Sequence, residues 1–399
     1  MDRALSHYRT PLRVLPLLAL STLFASSVWF ATNAVMPSLA QTLGGDQTPA
    51  DITSAVQLGF IIGTFVFAAL AIADRFAPSR VFMISSLMAA VTNYSIVWVS
   101  DDYSGILITR FLVGFFLAGI YPVGMKIAVS WYPKGLGMAL GFMVGALVLG
   151  TAFPHLVRAL GQDWPWQTVI QTTSLSAIGG GLIIWLLLGD GPNRPVSGEL
   201  HPRALLDAFR HSEFRASACG YFGHMWELYT FLAFVPVWLI AYQEWHQIDP
   251  LPVSLWSFLI IGAGAIGCAG GGLLTPRIGP PPVAGIQLTI SGICCLLSPV
   301  IFLLPLEGFL FVMLMWGLTV AGDSPQFSTL NALNAPPQLA GSALTMVNCI
   351  GFSISIISLQ VMEMLVGMVS AQWLFLILVP GPLLGMIYFR PLLMKRTIV

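Results

Sequence analysis

Seven ionisable side chains of this chain lie inside long apolar stretches, where charged groups are rare. They are Arg110, Lys126, His155, His224, Glu227, Asp323 and Glu363. A charged group at the centre of a membrane span costs about 2.5–3.5 kcal/mol on insertion scales, so such residues usually face a cavity or one another. Carboxyl and imidazole groups exchange protons, and guanidinium and ammonium groups attract anions. The set therefore predicts proton transfer or solute binding within a membrane.

The stretch around residues 220–229 carries the densest group of these side chains. His224 and Glu227 are three residues apart, so they share one face of a helix. Glu227 falls near the middle of its apolar segment, where burial and neighbouring charges decide when a carboxyl group takes up a proton. We therefore predict a proton-coupling site at these two residues, with Trp226 and Tyr229 flanking a solute. The alternative is a structural hydrogen bond between His224 and Glu227 that holds the helix to its neighbour.

Three further charged residues have two interpretations each. Lys126 and Asp323 are expected either to form a gate pair between the two halves of the chain or to brace the structure. Asp323 is also a candidate for proton coupling. Arg110 lies too deep in its segment to reach the membrane surface easily. It is expected to bind a substrate anion or to pair with Glu227, and the alternative is a structural ion pair near the membrane surface.

Polar groups in the first and fifth segments complete the candidate solute site. Trp29 and Asn33 offer hydrogen-bonding groups at mid-depth, and we take Asn33 as a candidate contact for the solute. His155 lies near the outer end of the fifth segment and is a further candidate. Polar side chains in membrane spans also hold helices together. The alternatives are therefore a helix–helix contact for Asn33 and an interfacial position for His155.

Twelve apolar segments position these residues, and each is long enough to cross a bilayer, which takes about 20 residues. They run approximately over 14–40, 52–73, 81–99, 104–131, 136–160, 166–188, 216–241, 253–274, 282–304, 308–333, 341–365 and 370–393. The chain is 56% hydrophobic and 9% charged, which predicts an all-α multi-span membrane protein. Its net charge of zero provides no basic surface for nucleic acid. All five cysteines fall in the segments and are interpreted as packing residues, so we expect neither a metal nor a cofactor.

Basic residues are distributed unevenly between the two sets of loops. Fourteen of the 17 lysines and arginines fall on one side: Arg3, Arg9, Arg13, Arg75, Arg80, Lys134, Arg194, Arg203, Arg210, Arg215, Arg277, Arg390, Lys395 and Arg396. The opposite side holds acidic residues: Asp46, Asp51, Asp101, Asp102, Asp163, Glu244, Asp249 and Glu307. The positive-inside rule then predicts that both termini are cytoplasmic, in the inner membrane.

Two short matches indicate an internal duplication. Arg75 and Arg277 follow the second and the eighth segments, and similar Gly-x-Ala-Leu sequences begin the fifth and the eleventh. Parallel repeats of this kind occur in secondary transporters. We therefore predict an N-terminal six-helix bundle at 1–190, a cytoplasmic linker at 191–215 and a C-terminal six-helix bundle at 216–399. The linker is expected to contain either a short interfacial helix or a solvated connection.

The loop after the second segment resembles a signature of the major facilitator superfamily. Asp74 and Arg75 match the form GxxxDRxGRR, Ala77 stands at its second glycine position, and Arg80 lies one residue beyond its end. The loop after the eighth segment keeps part of the pattern, and the fourth segment contains a related Arg-xxx-Gly element. These further matches are Arg277 and Gly279, with Pro276 in place of the acid, and Arg110 with Gly114.

The resemblance implies two pseudo-symmetric six-helix bundles around a central cavity. In that family the first, fourth, seventh and tenth spans line the cavity, and the second, fifth, eighth and eleventh lie between the halves. The resemblance also implies a gating role for Asp74, Arg75, Arg80 and Arg277, together with Lys126. Glycines spaced four residues apart are then expected on the surfaces between the halves. They are Gly59, Gly63, Gly137, Gly141, Gly145, Gly267 and Gly271.

A secondary transporter working by alternating access is the function that these features predict. The chain has no phosphate-binding loop for ATP and no common catalytic motif, so we expect no enzymatic activity. The expected partners are a small solute, protons as coupling ion and the lipid bilayer, and the chain is expected to act as a monomer. Arg110, Lys126 and His155 slightly favour an anionic solute. The alternatives are proton-driven efflux of lipophilic compounds and a solute sensor of the same fold that transports nothing.

Overall fold

Apolar helices form nearly the whole structure, a computed structural model that describes residues 10–43, 49–132, 135–193, 203–336 and 339–394. Eleven described helical segments are long and apolar enough to cross a membrane, and they form the second to twelfth spans. They are Pro49–Ala69, Pro78–Trp98, Tyr103–Trp131, Leu136–Leu160, Trp166–Leu188, Ser212–His246, Val253–Ile278, Pro280–Ile301, Leu306–Asn334, Ala340–Leu365 and Ala371–Met394. The predicted all-α membrane fold is confirmed, since these spans follow the predicted segments closely. Arg3, Arg9, Asp46, Lys134, Arg194, Lys395 and Arg396 lie outside the described residues.

The first span is interrupted, although the sequence predicted one continuous segment. Its first helix, Val14–Ser26, is followed by irregular backbone, a 3-10 turn at Asn33–Val35 and a second helix at Met36–Leu43. The Ser27 hydroxyl donates to the carbonyl oxygen of Thr173 in the sixth span, at 3.1 Å. A break of this kind is tolerated inside a membrane protein only where neighbouring helices cover the freed backbone groups.

The fourth and tenth spans are also broken near their middles. The fourth consists of Tyr103–Leu117 and Tyr121–Trp131, and the tenth of Leu306–Gly322 and Ser324–Asn334. A proline stands at the start of the second helix in both spans. Because proline has no N–H group, it fits the first turn of a helix but not its interior. The two breaks occupy corresponding places in the first and second halves of the chain.

The loops of the structure define two faces. Arg75, Arg80 and Arg277 are exposed on one face, which we call the basic face. Asp102 and Asp163 are exposed on the opposite face, which we call the acidic face. A short helix at Ala204–Phe209 precedes the seventh span, and another at Ile72–Arg75 follows the second. The connection from the eighth to the ninth span turns at Gly279, whose φ of 82° strongly favours glycine.

Close glycine contacts occur both between and within the halves of the chain. At Gly141 in the fifth span, an added Cβ atom would lie 2.9 Å from the Cα atom of Gly272 in the eighth. This contact agrees with the prediction. The prediction is wrong for Gly59, which lies against the carbonyl of Phe111 in the fourth span, and for three other glycines that also contact their own half. These three are Gly63, Gly267 and Gly271.

Candidate functional site

A cavity of about 220 Å³ lies between spans from the two halves of the chain. The fourth, fifth, seventh, tenth and eleventh spans form its wall, and it reaches the basic face at Leu136 and Ala332. The breaks in the fourth and tenth spans place Tyr121 and Ser324 in the wall, each at the start of a half-helix. Much of the remaining wall is apolar. Its other polar side chains are Lys126, Tyr221, Tyr229, Ser328, Asn331 and Asn348.

An aromatic layer closes this cavity on the side of the acidic face. Trp29 from the first span stacks on Tyr229 from the seventh, with ring centroids 5.7 Å apart. Phe60 and Phe352, from the second and eleventh spans, meet at 4.6 Å. Trp29 contacts Phe60 at 5.3 Å, and Tyr229 contacts Phe352 at 5.2 Å. The four rings join the two halves of the chain, and two of them belong to the cavity wall.

Hydrogen bonds between the second and eleventh spans continue the closure toward the acidic face. The Gln57 amide donates to the Ser355 hydroxyl at 3.1 Å, in a fully buried contact. Further out, the Gln360 amide donates to Asp51 Oδ1 and to Ser54 Oγ, both at 3.1 Å. The cavity is thus closed toward the acidic face and reaches the basic face.

Lys126 forms an ion pair with Asp74, not with Asp323. The ammonium group of Lys126 donates to Asp74 Oδ1, and both side chains are largely buried. Asp74 lies in the short helix that follows the second span, so the pair joins that helix to the fourth span. The predicted pairing of Lys126 with Asp323 is wrong. Pairing partners depend on how each helix is rotated about its axis, which charge spacing alone does not determine.

Asp323 lies beside His224 and far from the loops. His224 Nδ1 is 2.8 Å from Asp323 Oδ1, and both side chains are almost completely buried. The contact joins the seventh span to the break in the tenth. It adjoins the cavity, because Tyr221 and Ser324 belong to its wall. His224 is therefore paired across helices, not with Glu227 on its own helix.

Glu227 points into the second half of the chain, away from the cavity wall. Its carboxylate accepts hydrogen bonds from Ser291 Oγ at 2.9 Å, Cys295 Sγ at 3.2 Å and Trp316 Nε1 at 2.8 Å. Among the described residues, no lysine, arginine or histidine forms an ion pair with it. The alternative of a structural hydrogen bond to His224 is wrong, and so is the pairing with Arg110 that was one option for that residue. The role of Glu227 in proton coupling stays a prediction.

Arg110 is fully buried in the first half of the chain. Its Nη1 donates to Asn93 Oδ1 at 2.9 Å, and its Nη2 donates to the Asn93 carbonyl oxygen at 3.4 Å. Asn93 Nδ2 in turn donates to Ser174 Oγ at 2.9 Å and to Thr173 Oγ1 at 3.1 Å. This network joins the third, fourth and sixth spans. The described wall of the cavity does not include Arg110.

The predicted contacts in the first and fifth spans lie outside the cavity wall as well. Asn33 Nδ2 donates to Thr53 Oγ1 at 2.8 Å, which supplies the helix contact named as an alternative. His155 is buried, and its Nε2 has no hydrogen-bond partner among the described residues. Trp29 Nε1 also has none, so this tryptophan contributes ring surface to the aromatic layer.

Trp226 and Tyr229 line two different spaces, although they are three residues apart on one helix. The indole Nε1 of Trp226 donates to the Ile377 carbonyl oxygen at 2.8 Å. Trp226 lines an apolar groove of about 410 Å³ against the twelfth span, together with Tyr388. The two aromatic residues therefore do not line one space, and a solute contact of Trp226 stays a prediction. Tyr229 lines the cavity.

Comparison with known proteins agrees with this architecture. The family model described as Major Facilitator Superfamily matches residues 18–360. The chain belongs to the Major Facilitator Superfamily. Two solved structures of that superfamily have similar folds. XylE, a proton:xylose symporter bound to 6-bromo-6-deoxy-D-glucose, gives a TM-score of 0.72 at 11% identity, covering 95% of this chain and 94% of XylE. FucP in the outward conformation gives a TM-score of 0.64 at 13% identity, covering 96% of this chain and 99% of FucP.

Two curated relatives match the chain over shorter stretches. The probable sulfoacetate transporter SauU of Cupriavidus necator is 26% identical over 255 residues, which cover 56% of each chain. The inner membrane transport protein YnfM of Escherichia coli is 22% identical over 184 residues, covering 45% of this chain and 43% of YnfM. The chain thus spans about half the length of these two relatives.

Sequence reasoning missed most polar residues of the cavity wall. Tyr121, Tyr221, Asn331 and Asn348 were not among the predicted site residues, although all four line the cavity. They fall in the fourth, seventh, tenth and eleventh spans, three of which the family resemblance assigns to the cavity. A search for charged residues alone passed over them, because phenol and amide side chains carry no charge.

Proposed function

We propose that the chain is a secondary transporter that carries a small organic anion across the inner membrane by alternating access. Its basic face lies in the cytoplasm under this proposal, as the positive-inside rule predicts. The N-terminal bundle at 1–190 and the C-terminal bundle at 216–399 rock against each other, joined by the linker at 191–215. The cavity closed toward one face and reaching the other supports this mechanism, because alternating access requires such asymmetry.

A single charged side chain in the cavity carries the proposal of an anionic solute. Among the described residues of the wall, Lys126 is the only one with a charged side chain. Tyrosine hydroxyls and asparagine amides provide neutral hydrogen bonds beside it, and charge-assisted hydrogen bonds are about twice as strong as neutral ones. A carboxylate or sulfonate is the complementary solute. The name of the relative SauU, a probable sulfoacetate transporter, supports the same chemical class.

Uptake into proteoliposomes tests this proposal directly. We expect the purified chain to exchange labelled sulfoacetate or a related small carboxylate or sulfonate. Lys126→Gln is expected to lower the exchange rate at low solute concentration by about tenfold or more, because it removes one charge-assisted hydrogen bond. Arg210→Gln is the matched control, since that side chain is highly exposed on the basic face and outside the cavity. Equal rates for Lys126→Gln and the unaltered chain would contradict the role of Lys126.

We also propose that proton movement through the second half drives this transport. Asp323 and His224 form a buried pair next to the cavity wall, and Glu227 is a buried carboxyl group on the same helix as His224. Intramembrane ionisable groups commonly form proton relays in transporters. The three residues thus provide both a contact with the cavity and a second carboxyl group that can hold a proton.

Neutral amide replacements separate coupling from solute movement. We expect Glu227→Gln and Asp323→Asn to abolish uptake driven by a proton gradient and to retain solute exchange without a gradient. Glu307→Gln is the control, because Glu307 lies at the acidic-face end of the tenth span, and it is expected to retain both activities. Unchanged gradient-driven uptake in Glu227→Gln would exclude Glu227 as a proton site.

The apolar part of the wall favours a second candidate function, the efflux of lipophilic compounds. Leu140, Val144, Leu147 and Val148 of the fifth span form a continuous apolar strip along the cavity. Transport of lipophilic cations, with no transport of anions, would support this alternative. Binding of a solute without any flux, under every imposed proton gradient, would instead indicate a sensor.

A further inference from the structure

Lys126 borders two adjoining spaces. It lines the central cavity, and it also lines a vestibule of about 160 Å³ between the basic-face ends of the second, fourth and eleventh spans. Asp74 lines the vestibule, where its carboxylate pairs with the Lys126 ammonium group. The two side chains are 14% and 19% exposed, so water has limited access to the pair. One cation thus lies between a fixed carboxylate and the cavity.

We propose that an anionic solute in the cavity competes with Asp74 for Lys126, so that loading the cavity loosens the contact between Asp74 and the fourth span. The inference rests on the proposed function, because it requires an anionic solute. A lysine ammonium group has three donors on a flexible stem. It can therefore turn from Asp74 toward a second anion without movement of its helix. Solute binding and the position of the loop that follows the second span are then linked through one side chain.

The backbone before Asp74 is strained, which favours movement once the pair opens. Ala71 precedes the short helix Ile72–Arg75 and has a φ of 48°. For residues other than glycine, a left-handed conformation is unfavourable, because the Cβ atom approaches the following carbonyl oxygen. The contacts of this short helix must hold Ala71 in place, and the ion pair of Asp74 with Lys126 is one of them. Weakening that pair removes part of the restraint on the loop.

The corresponding contact in the second half is neutral. Pro276 stands at the position that corresponds to Asp74. The hydroxyl group of the adjacent Thr275 donates to Gln326 Oε1 at 2.7 Å. This bond joins the end of the eighth span to the second helix of the tenth, as the Asp74 pair joins its loop to the second helix of the fourth. An anion has no cation to withdraw from this contact. This contact of the second half therefore does not respond to an anionic solute.

Affinity measurements on the purified full-length chain distinguish competition from bracing. We expect Asp74→Asn to bind sulfoacetate, or the related anion that the unaltered chain exchanges, about fivefold more tightly, because the rival carboxylate of a partly exposed ion pair is removed. Asp74→Ala is expected to behave likewise, and Asp74→Glu to keep the original affinity. A purely structural brace predicts the opposite, since loosening the fold would weaken binding. The double variant Asp74→Asn with Lys126→Gln is expected to lose this gain in affinity, because the ammonium group is then absent.

Thr275→Val is the matched control for the neutral contact and is expected to leave anion affinity unchanged. Unchanged or weaker binding in both Asp74→Asn and Asp74→Ala would overturn the competition, and anion transport would still stand. An equal gain in anion affinity for Thr275→Val would also overturn the competition and leave anion transport standing. It would indicate a general effect of loosened helix ends. Failure of the unaltered chain to bind any of a panel of small carboxylates and sulfonates would overturn both the competition and the proposed substrate class.

Discussion

Arg110 shows how a cation is retained inside a membrane span without a carboxylate partner. Among the described residues, no acidic side chain forms an ion pair with it, and its guanidinium group bonds to Asn93 instead. Asn93 accepts from Arg110 and donates to hydroxyls of the sixth span, so one amide serves three helices. Removing one partner of a buried charged group is costly, because the charge is left without compensation.

Asn93→Leu is therefore expected to destabilise the protein. Leucine has a similar size but cannot accept from the Arg110 guanidinium, and the loss of a hydrogen bond to a charged group costs about 1.5–3 kcal/mol. Unfolding in detergent, followed by circular dichroism against temperature, measures the change. The double variant Asn93→Leu with Arg110→Met should recover part of the loss, because the uncompensated charge is then gone.

Thr92→Val provides the control for this prediction. Thr92 is the neighbouring residue in the third span, but its hydroxyl returns to the Met88 carbonyl of its own helix at 2.9 Å. Its replacement by valine is expected to have little effect on the melting temperature. Equal melting temperatures for Asn93→Leu and Thr92→Val would show that Asn93 does not stabilise Arg110.

At the scale of the helices, hydropathy predicted where spans occur but not where they break. The fifth span was predicted at 136–160 and is Leu136–Leu160, because apolar length is set directly by the bilayer. The breaks near Tyr121 and Ser324 have a local signal, since Pro122 and Pro325 follow them directly. The break after Ser26 has no such signal. It depends on the neighbouring helices that cover the freed backbone groups.

Pairing between spans was the least predictable feature of the candidate site. The charged residues themselves were visible in the sequence, but three contacts named for them, as predictions or as alternatives, were wrong: Lys126 with Asp323, His224 with Glu227, and Arg110 with Glu227. A rotation of one helix by a single residue position turns a side chain by about 100°. The pattern of charges along each helix does not record that rotation. The cavity wall was missed for a different reason, since most of its polar side chains carry no charge.

For the whole molecule, the boundary between the halves differs between its two ends. Toward the acidic face, the second and eleventh spans are joined by the buried bond of Gln57 to Ser355, which lies next to the aromatic layer. Toward the basic face, the vestibule separates the same two spans at Thr64 and Thr345. Alternating access requires the first contact to open when the vestibule closes. A transport cycle therefore has to break the bond between Gln57 and Ser355.

A tether between these two positions is expected to stop transport. We would replace Gln57 and Ser355 by cysteine in a chain whose five native cysteines are changed to serine or alanine, and then join the pair with a thiol cross-linker. Solute exchange in proteoliposomes should fall to the level of liposomes without protein and should return after reductive release of the tether. The control tether joins cysteines at Ser54 and Gln57, one turn apart on the second span, and should leave exchange intact. Full exchange with the tether between Gln57 and Ser355 in place would mean that these spans do not part during transport, and the rocking of the two halves would have to be abandoned.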